Sequence, residues 1–370
     1  MNHTINRHWA IIILVTGAVV LTSANKTFAK DASYTHNDAH VHLTNYIQEG
    51  TDIKDFLTVM GDEVGRAALF GIPLQQTWSY EVTGDYAPSY YLQTDAPLYY
   101  YSFTDAYIAT AYQSLSATDQ ARFDPMITGF NPADMYGVDH IKRVLKTFPG
   151  VFVGIGEFTI HKEFVSAKIA GDVASLHDPA MDRILDFAAE SGLLVLVHCD
   201  IDVPFAGSDE LPVYARQMVD LLERHPEASV IWAHTGLGRV VHPPRLSAAA
   251  TAAKRSSLHL DILRLLLERP GLAHVNFDIS WDEVAKYIVA SDESSTATAE
   301  LLNRYPDRFL FGSDEVAPKA QDDYLHVYRM YEPLWEKLTP EALEKVRKTN
   351  YERLFDEANR RVRDWEQDNL

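Results

Sequence analysis

The sequence is short of cysteine, of basic charge and of long apolar runs, and each shortage removes a class of protein. One cysteine, Cys199, in 370 residues leaves no partner for an internal disulfide and excludes zinc fingers and CxxC redox motifs, which need paired thiols. Cys199 directly follows His198, so strand alternation turns it away from whatever His198 faces, and it reads as a buried, inert thiol. Lysine and arginine number 33 against 52 aspartate and glutamate, giving a formal charge of -19 and a pI near 5.1. Such a surface repels polyanions, so no nucleic acid is expected as a partner. GxSxG is absent, which removes the nucleophile elbow of serine hydrolases. No Gly/Ser linker and no internal repeat interrupts the chain, which is long enough to bury a large core.

The one long uncharged apolar run is at the amino terminus. Residues 1–29 read as a signal peptide: Arg7 gives a positive start, Trp9 to Leu21 is apolar, and Thr27-Phe28-Ala29 ends in a small residue. Cleavage is expected after Ala29, with Ala24 as second choice. It removes Arg7 and Lys26 and no acid, taking the charge from -19 to -21. The run is shorter than the roughly 20 residues a spanning helix needs, so a periplasmic or secreted protein with no stable membrane insertion is expected, a retained anchor being the alternative.

From about residue 38 onward, short apolar runs alternate with stretches of helical period, the pattern of a parallel βα array. Eight strands are expected, roughly at 37–43, 67–73, 125–130, 151–160, 193–200, 229–236, 274–280 and 309–314. Helices are expected at 52–64, 138–148, 180–191, 212–224, 257–268 and 282–290, with a helical carboxyl end. Eight such units fit a single-domain (β/α)8 TIM barrel over residues 30–370 better than two doubly wound domains. After the second strand, about residues 75–102 form an insertion too long for an ordinary loop. It holds Trp78 and seven tyrosines, and such ring content suits a cap packed over the barrel mouth better than a substrate wall.

His40-Val41-His42 ends the first strand, and side chains two apart on a strand share a face, so both imidazoles can reach one ion. Alone this is weak, since about 0.6 HxH triplets arise by chance at this histidine content. The weight comes from Glu157, His198, His234 and Asp314, each placed directly after an apolar strand-like run. In a barrel these ends form one rim, where barrel active sites lie. Six unrelated buried ionisable groups on one rim would each need separate compensation. Imidazole with carboxylate favours Zn2+, while Mn2+, Co2+ or Fe2+ also fit, as one or two ions. A divalent ion lowers the pKa of bound water towards about 7 and polarises the oxygen under attack; Asp314 is the expected proton acceptor.

Asp38-Ala-His-Val-His, Gly154-Ile-Gly-Glu, Leu196-Val-His, Trp232-Ala-His-Thr-Gly, Tyr305-Pro-Asp-Arg-Phe-Leu-Phe-Gly-Ser-Asp and Asn350-Tyr-Glu-Arg-Leu-Phe together resemble the amidohydrolase superfamily, in particular its amidohydrolase-related branch, from residue 38 to about 356. The resemblance implies a barrel with one or two divalent metals at the strand ends, activating water. It implies His40, His42 and Asp314 on one metal and His198 and His234 on a second. Glu157 stands where the family often has a carboxylated lysine, and it implies a bridging carboxylate there.

Further along the rim, Arg239 is a candidate for holding a substrate carboxylate or phosphate by a bidentate pair. His161, with Lys162 and Glu163, follows the Glu157 strand end and is a second substrate-facing candidate. Asp278 ends the seventh strand and is a third, or else supports the metal ligands; Trp281 beside it reads as packing. The expected function is a metal-dependent hydrolase cleaving an amide, lactone or other ester bond of a small molecule. The alternative is a decarboxylase of an unsaturated or aromatic acid, since the branch resembled includes such lyases. A non-catalytic metal binder is a third reading, against which the full ligand set argues. A homo-oligomer is left open.

Overall fold

The structure is a computed structural model that describes residues 34–45, 49–72, 103–162, 175–201, 211–238 and 259–370, with the backbone of a few two-residue strands between them. The expected signal peptide, nearly all of the tyrosine-rich insertion, Arg239 and Glu163 lie outside the described residues. Within the insertion, Thr77–Trp78 and Leu92–Gln93 pair as a parallel two-stranded unit.

The apolar runs form parallel strands β1 (His36–His42), β2 (Val64–Phe70), β3 (Phe123–Ile127), β4 (Gly154–Lys162), β5 (Leu194–Cys199), β6 (Val230–Trp232), β7 (Val275–Asp278), β8 (Phe309–Leu310) and β9 (Glu315–Val316). Their order is β8-β7-β6-β5-β4-β3-β2-β1-β9. β8 and β9 are the two halves of one broken eighth strand: the first pairs with β7 and the second with β1, which brings the sheet round into a TIM barrel. The expected eighth strand, 309–314, thus stops at Leu310, because Asp314 has φ 56, a left-handed conformation that no strand accepts. The sixth strand, expected to run to Gly236, ends at Trp232 for the same reason, since His234 and Thr235 have φ 58 and 53. The fourth begins at Gly154 rather than Val151.

Alternation divides the core into two layers. On β5, Val195, Val197 and Cys199 face outward to the helices, while Leu194 and Leu196 face the lumen. The outer layer is closed by α1 (Ile53–Met60), α2 (Thr104–Gln113), α3 (Gly137–Thr147), α4 (Pro179–Ser191), α5 (Val213–Arg224), α6 (His259–Glu268), α7 (Asp282–Ile288) and α8 (Asp292–Arg304). Local chemistry sets several ends. Asp52 accepts from the Lys54 N–H at the start of α1, and Asp178 accepts from the Ala180 N–H ahead of α4, whose first residue is Pro179. α2 and α8 have no counterpart in the sequence reading; α2 shows little amphipathic contrast, having Thr104 and Asp105 among its buried residues.

The last helix, α9 (Asn350–Asn369), closes the amino-terminal end of the barrel. Tyr351, Leu354, Phe355 and Ala358 pack on the lumen residues Ala68, Met126, Leu194 and Ile231. Polar contacts fix the plug: Asn350 Nδ2 donates to the carbonyls of Pro306 and Phe309, and Tyr351 Oη donates to Asp124 Oδ2, which also pairs with buried Arg66. The Asn350-Tyr-Glu-Arg-Leu-Phe stretch is therefore structural, and it leaves only the carboxyl-terminal rim open to chemistry. Among the described residues, no helix is long and apolar enough to cross a membrane.

Candidate metal centre

Six side chains from five strand ends converge at that rim, as the sequence predicts. His42 Nε2 lies 3.0 Å from Asp314 Oδ1 and 3.4 Å from Glu157 Oε2, and His40 Nε2 lies 3.2 Å and 3.7 Å from the same two atoms. The other oxygen of Glu157, Oε1, lies 2.7 Å from His198 Nδ1 and 3.3 Å from His234 Nε2. Among the described residues, three groups have their potential ligand atoms within 4.8 Å of one another: His40-His42-Glu157-Asp314, Glu157-His198-His234 and His40-His234-Asp278. Glu157 belongs to the first two, and Asp278 of the third lies behind the rings.

The imidazoles are held from behind. His40 Nδ1 donates to Asp278 Oδ2 at 3.0 Å, and His198 Nε2 donates to Asp200 Oδ1 at 3.1 Å. His234 Nδ1 donates to Ser280 Oγ at 2.9 Å, and that hydroxyl donates in turn to Asp278 Oδ1 at 2.5 Å. In each ring this bond keeps a proton on the nitrogen away from the centre, so that the other nitrogen can offer its lone pair to an ion that displaces its proton. Asp278 also accepts from the backbone N–H of His234 at 2.7 Å and that of Ser280 at 3.1 Å. Fully buried beneath two histidines, Asp278 sits where it orients them and not where a substrate would touch it.

The strained rim positions follow from the same network. Asp314 donates its N–H to the His40 carbonyl at 2.8 Å, and Asp38 Oδ1 accepts from both Ser313 N–H and His40 N–H, which locks the break in the eighth strand to β1. Burial pushes the Asp38 carboxyl up to about 6. A Cβ on Gly312 would come within 2.7 Å of the His40 Cβ, so only glycine lets the two strands approach this closely.

The charges suit a cation. Burial by itself would lower the His40 pKa, yet the carboxylates of Asp314, Glu157 and Asp278 outweigh it and hold the imidazole well above its ordinary range. His42 and His198 are raised in the same way against their burial, by Asp314 and Glu157 for the first and Asp200 and Glu157 for the second. Glu157 and Asp314 are held well below the carboxylate range despite burial, chiefly by His40. His234 is lowered by burial and by its neighbour His198. Protons thus stand in for positive charge that the carboxylates demand, and His40 Nε2, although buried, makes no hydrogen bond. A divalent ion on Nε2 of His40 and His42 and the oxygens of Glu157 and Asp314 would satisfy all of them, so this donor set fits a metal.

Of the remaining candidates, His161 stacks on Tyr214 of α5, with ring centroids 3.7 Å apart, and burial lowers it to about 4. That position is a neutral packing site on the outer side of the strand. Cys199 is buried, and burial raises its thiol well above the ordinary range, as an inert thiol requires. Asp200 and Ser280 were not anticipated, although each stands two residues beyond a residue that was, His198 and Asp278.

Among curated proteins none matches the chain. Three of the solved structures similar to it are an uncharacterised TIM-barrel protein from Bordetella bronchiseptica, dihydroorotase from Campylobacter jejuni and 2,6-dihydroxybenzoate decarboxylase from Rhizobium. The first is 12% identical, with 87% of this chain and 99% of that one covered, at a TM-score of 0.49. Dihydroorotase is 13% identical (87% and 83%, TM-score 0.48) and so is the decarboxylase (87% and 98%, TM-score 0.48). The family model described as amidohydrolase matches residues 37–356, and with the ligand geometry spread over that same span, the chain belongs to the amidohydrolase family and is an enzyme of that superfamily.

Proposed function

We propose that the protein is a metal-dependent hydrolase that cleaves an amide, lactone or other ester bond of a small molecule, with two divalent ions, most simply Zn2+, bridged by Glu157. One observation carries the choice of hydrolysis over decarboxylation: the two oxygens of Glu157 face different histidine pairs, at 3.4 Å from His42 Nε2 and 2.7 Å from His198 Nδ1. A carboxylate divided in this way is placed to bridge two ions, and paired ions suit displacement at a carbonyl by activated water. His40, His42 and Asp314 would hold one ion and His198 with His234 the other. When bound, the ions supply a water of lowered pKa and polarise the carbonyl oxygen under attack.

Asp314 has the most exposed side chain of the cluster, 10% against 7% or less for its partners. It is the carboxylate that reaches the open rim. In this reading it accepts the proton lost by the attacking water, and returns it to the leaving oxygen or nitrogen as the carbon–heteroatom bond breaks. Asp278, Asp200 and Ser280 fix the imidazole tautomers and take no part in the proton transfer. Export by the amino-terminal segment belongs to the same proposal, since the apolar run with its basic start and small terminal residue supports it. Amino-terminal sequencing of the protein from the periplasmic fraction should then begin at Lys30, or at Asn25 for the second site.

The function is tested by metal analysis of the purified protein, followed by assay of lactones, aryl esters, acyl amides and aromatic carboxylic acids with that metal restored. Two ions per chain and hydrolysis of at least one class are expected. One ion per chain, with carbon dioxide released from an aromatic acid and no hydrolysis, would overturn the proposal in favour of a decarboxylase.

A further inference from the structure

Simple alternation from Glu157 puts residues 159 and 161 on the lumen face of β4 and Lys162 on the outer face. The β4–β5 ladder breaks that count twice. Register runs Val195 with Ile155, Val197 with Phe158, His198 with Thr159, and then Cys199 with His161, so β4 carries an extra residue before Phe158 and another before His161. Each is a bulge that reverses the faces beyond it. The outer core records the shifts, since Ile155, Phe158 and Ile160 all lie in it. After the second bulge His161 faces outward against Tyr214, and the inward position passes to Lys162.

Lys162 is 7% exposed, and among the described residues Arg66 is the only other lysine or arginine as buried. Arg66 lies at the opposite end of the barrel, tied to Asp124 and Asp356. The Lys162 ammonium lies over the ring of Trp281, 5.3 Å from its centroid, and that ring stands 5.2 Å from His234 and 6.4 Å from His198. Trp281 has φ 83, a conformation that bulky residues avoid and that persists where surrounding structure imposes it, often at functional sites. A cation is therefore held on an apolar wall beside the His198–His234 half of the metal centre.

We propose that Lys162 binds a carboxylate of the substrate, so that the hydrolase acts on an anionic ester, lactone or amide and uses Trp281 as the wall of that subsite. The assignment rests on the hydrolase reading for its substrate class and on the geometry of β4 for its position. The physical need is plain. Glu157, Asp200, Asp278 and Asp314 surround the centre, where two divalent ions would do no more than balance them, and the chain as a whole carries a formal charge of -19. A cation beside the ions supplies the local positive charge that draws in and orients an anionic substrate. Lysine is seldom buried to this degree because removing an ammonium from water is costly. At a partly dehydrated rim the same charge attracts a carboxylate more strongly than it would in bulk water.

The test uses the metal-loaded enzyme and a matched pair of substrates, a γ-lactone bearing a carboxylate and its methyl ester. The readout is the ratio of kcat/KM for the acid to that for the ester, in wild type, K162M and K162R. The ratio is expected to fall by about 10- to 100-fold in K162M, the range for a hydrogen bond to a charged group, and to recover largely in K162R. An unchanged ratio in K162M overturns the assignment, whether both rates fall together or neither does. If an ester or amide is cleaved in place of lactones, the matched pair is drawn from that class. If no lactone, ester or amide is turned over, it is the hydrolase reading that has failed, and Lys162 is judged by calorimetric binding of succinate. Binding at least tenfold weaker in K162M, with K162R close to wild type, supports the carboxylate subsite; equal binding in all three proteins overturns it.

Discussion

His40 shows how one side chain is specified from several directions. Its lone-pair nitrogen is aimed at Glu157 and Asp314, its other nitrogen is bound by Asp278, and Gly312 leaves the room it occupies. Replacing Asp314 with Asn keeps the volume and removes the acceptor, so turnover should fall below detection while the thermal unfolding midpoint of the metal-loaded protein stays within a few degrees. Full turnover in purified D314N would remove it from the mechanism. Asp200 acts one step further out, and D200N should lower metal affinity by about 10- to 100-fold, the usual cost of losing such a support, with activity regained at high metal concentration. Competition against a chromophoric chelator measures this directly. Asp200 and Ser280 were legible in principle: the alternation that joins His40 to His42 also joins His198 to Asp200 and Asp278 to Ser280. The sequence pattern carried no reason to apply it there, because neither pair consists of two obvious ligands.

At the scale of elements, the helices and strands that were legible are those whose apolar period and end signals agree. α4 is the clearest, with Asp178 and Pro179 at its start and Gly192 at its end. Gly192 has φ 78, and a Cβ there would come within 2.2 Å of the Arg361 Cβ on α9. G192A combines a disfavoured conformation with overpacking, and should cost about 1–3 kcal/mol, seen as a lower urea midpoint with little change in metal content. What escaped was the interior of β4. A bulge has no compositional signature there, so the sequence places the strand end at Ile160 and groups His161, Lys162 and Glu163 as residues following it. Nothing in it tells that β4 runs on to Lys162 and that Lys162, not His161, turns inward. The breaks at His234 and Asp314 were hidden in the same way, because left-handed backbone at these residues is imposed by hydrogen bonds from β1 and β7 and not by their own preference.

For the whole molecule, the metal centre couples pH to stability. Glu157, Asp278 and Asp314 are held below their ordinary values, so their contribution is present above the unfolded carboxylate range near 4 and is lost as pH falls through the folded values. His40, His42 and His198 are held above 6.5, so theirs is complete below that pH and is lost as pH rises through the raised values. A metal ion supplies the positive charge without a proton. The metal-stripped protein should therefore lose thermal stability as pH rises above about 6.5, while the metal-loaded protein does not, and the gap between their unfolding midpoints should widen with rising pH. A gap that stays constant or narrows would show that protons and metal do not compete for this centre.

The sequence by itself determined the barrel class, the rim on which chemistry lies and the six residues at the centre, because each of these is written locally: apolar period, a ligand directly after a strand, and two histidines on one face. Only the tertiary structure decided which oxygen of Glu157 meets which histidine, which groups stand behind the rings, and which way His161 and Lys162 turn. Those depend on ladder register and on bonds between residues far apart in the chain, and no short stretch of sequence holds both partners.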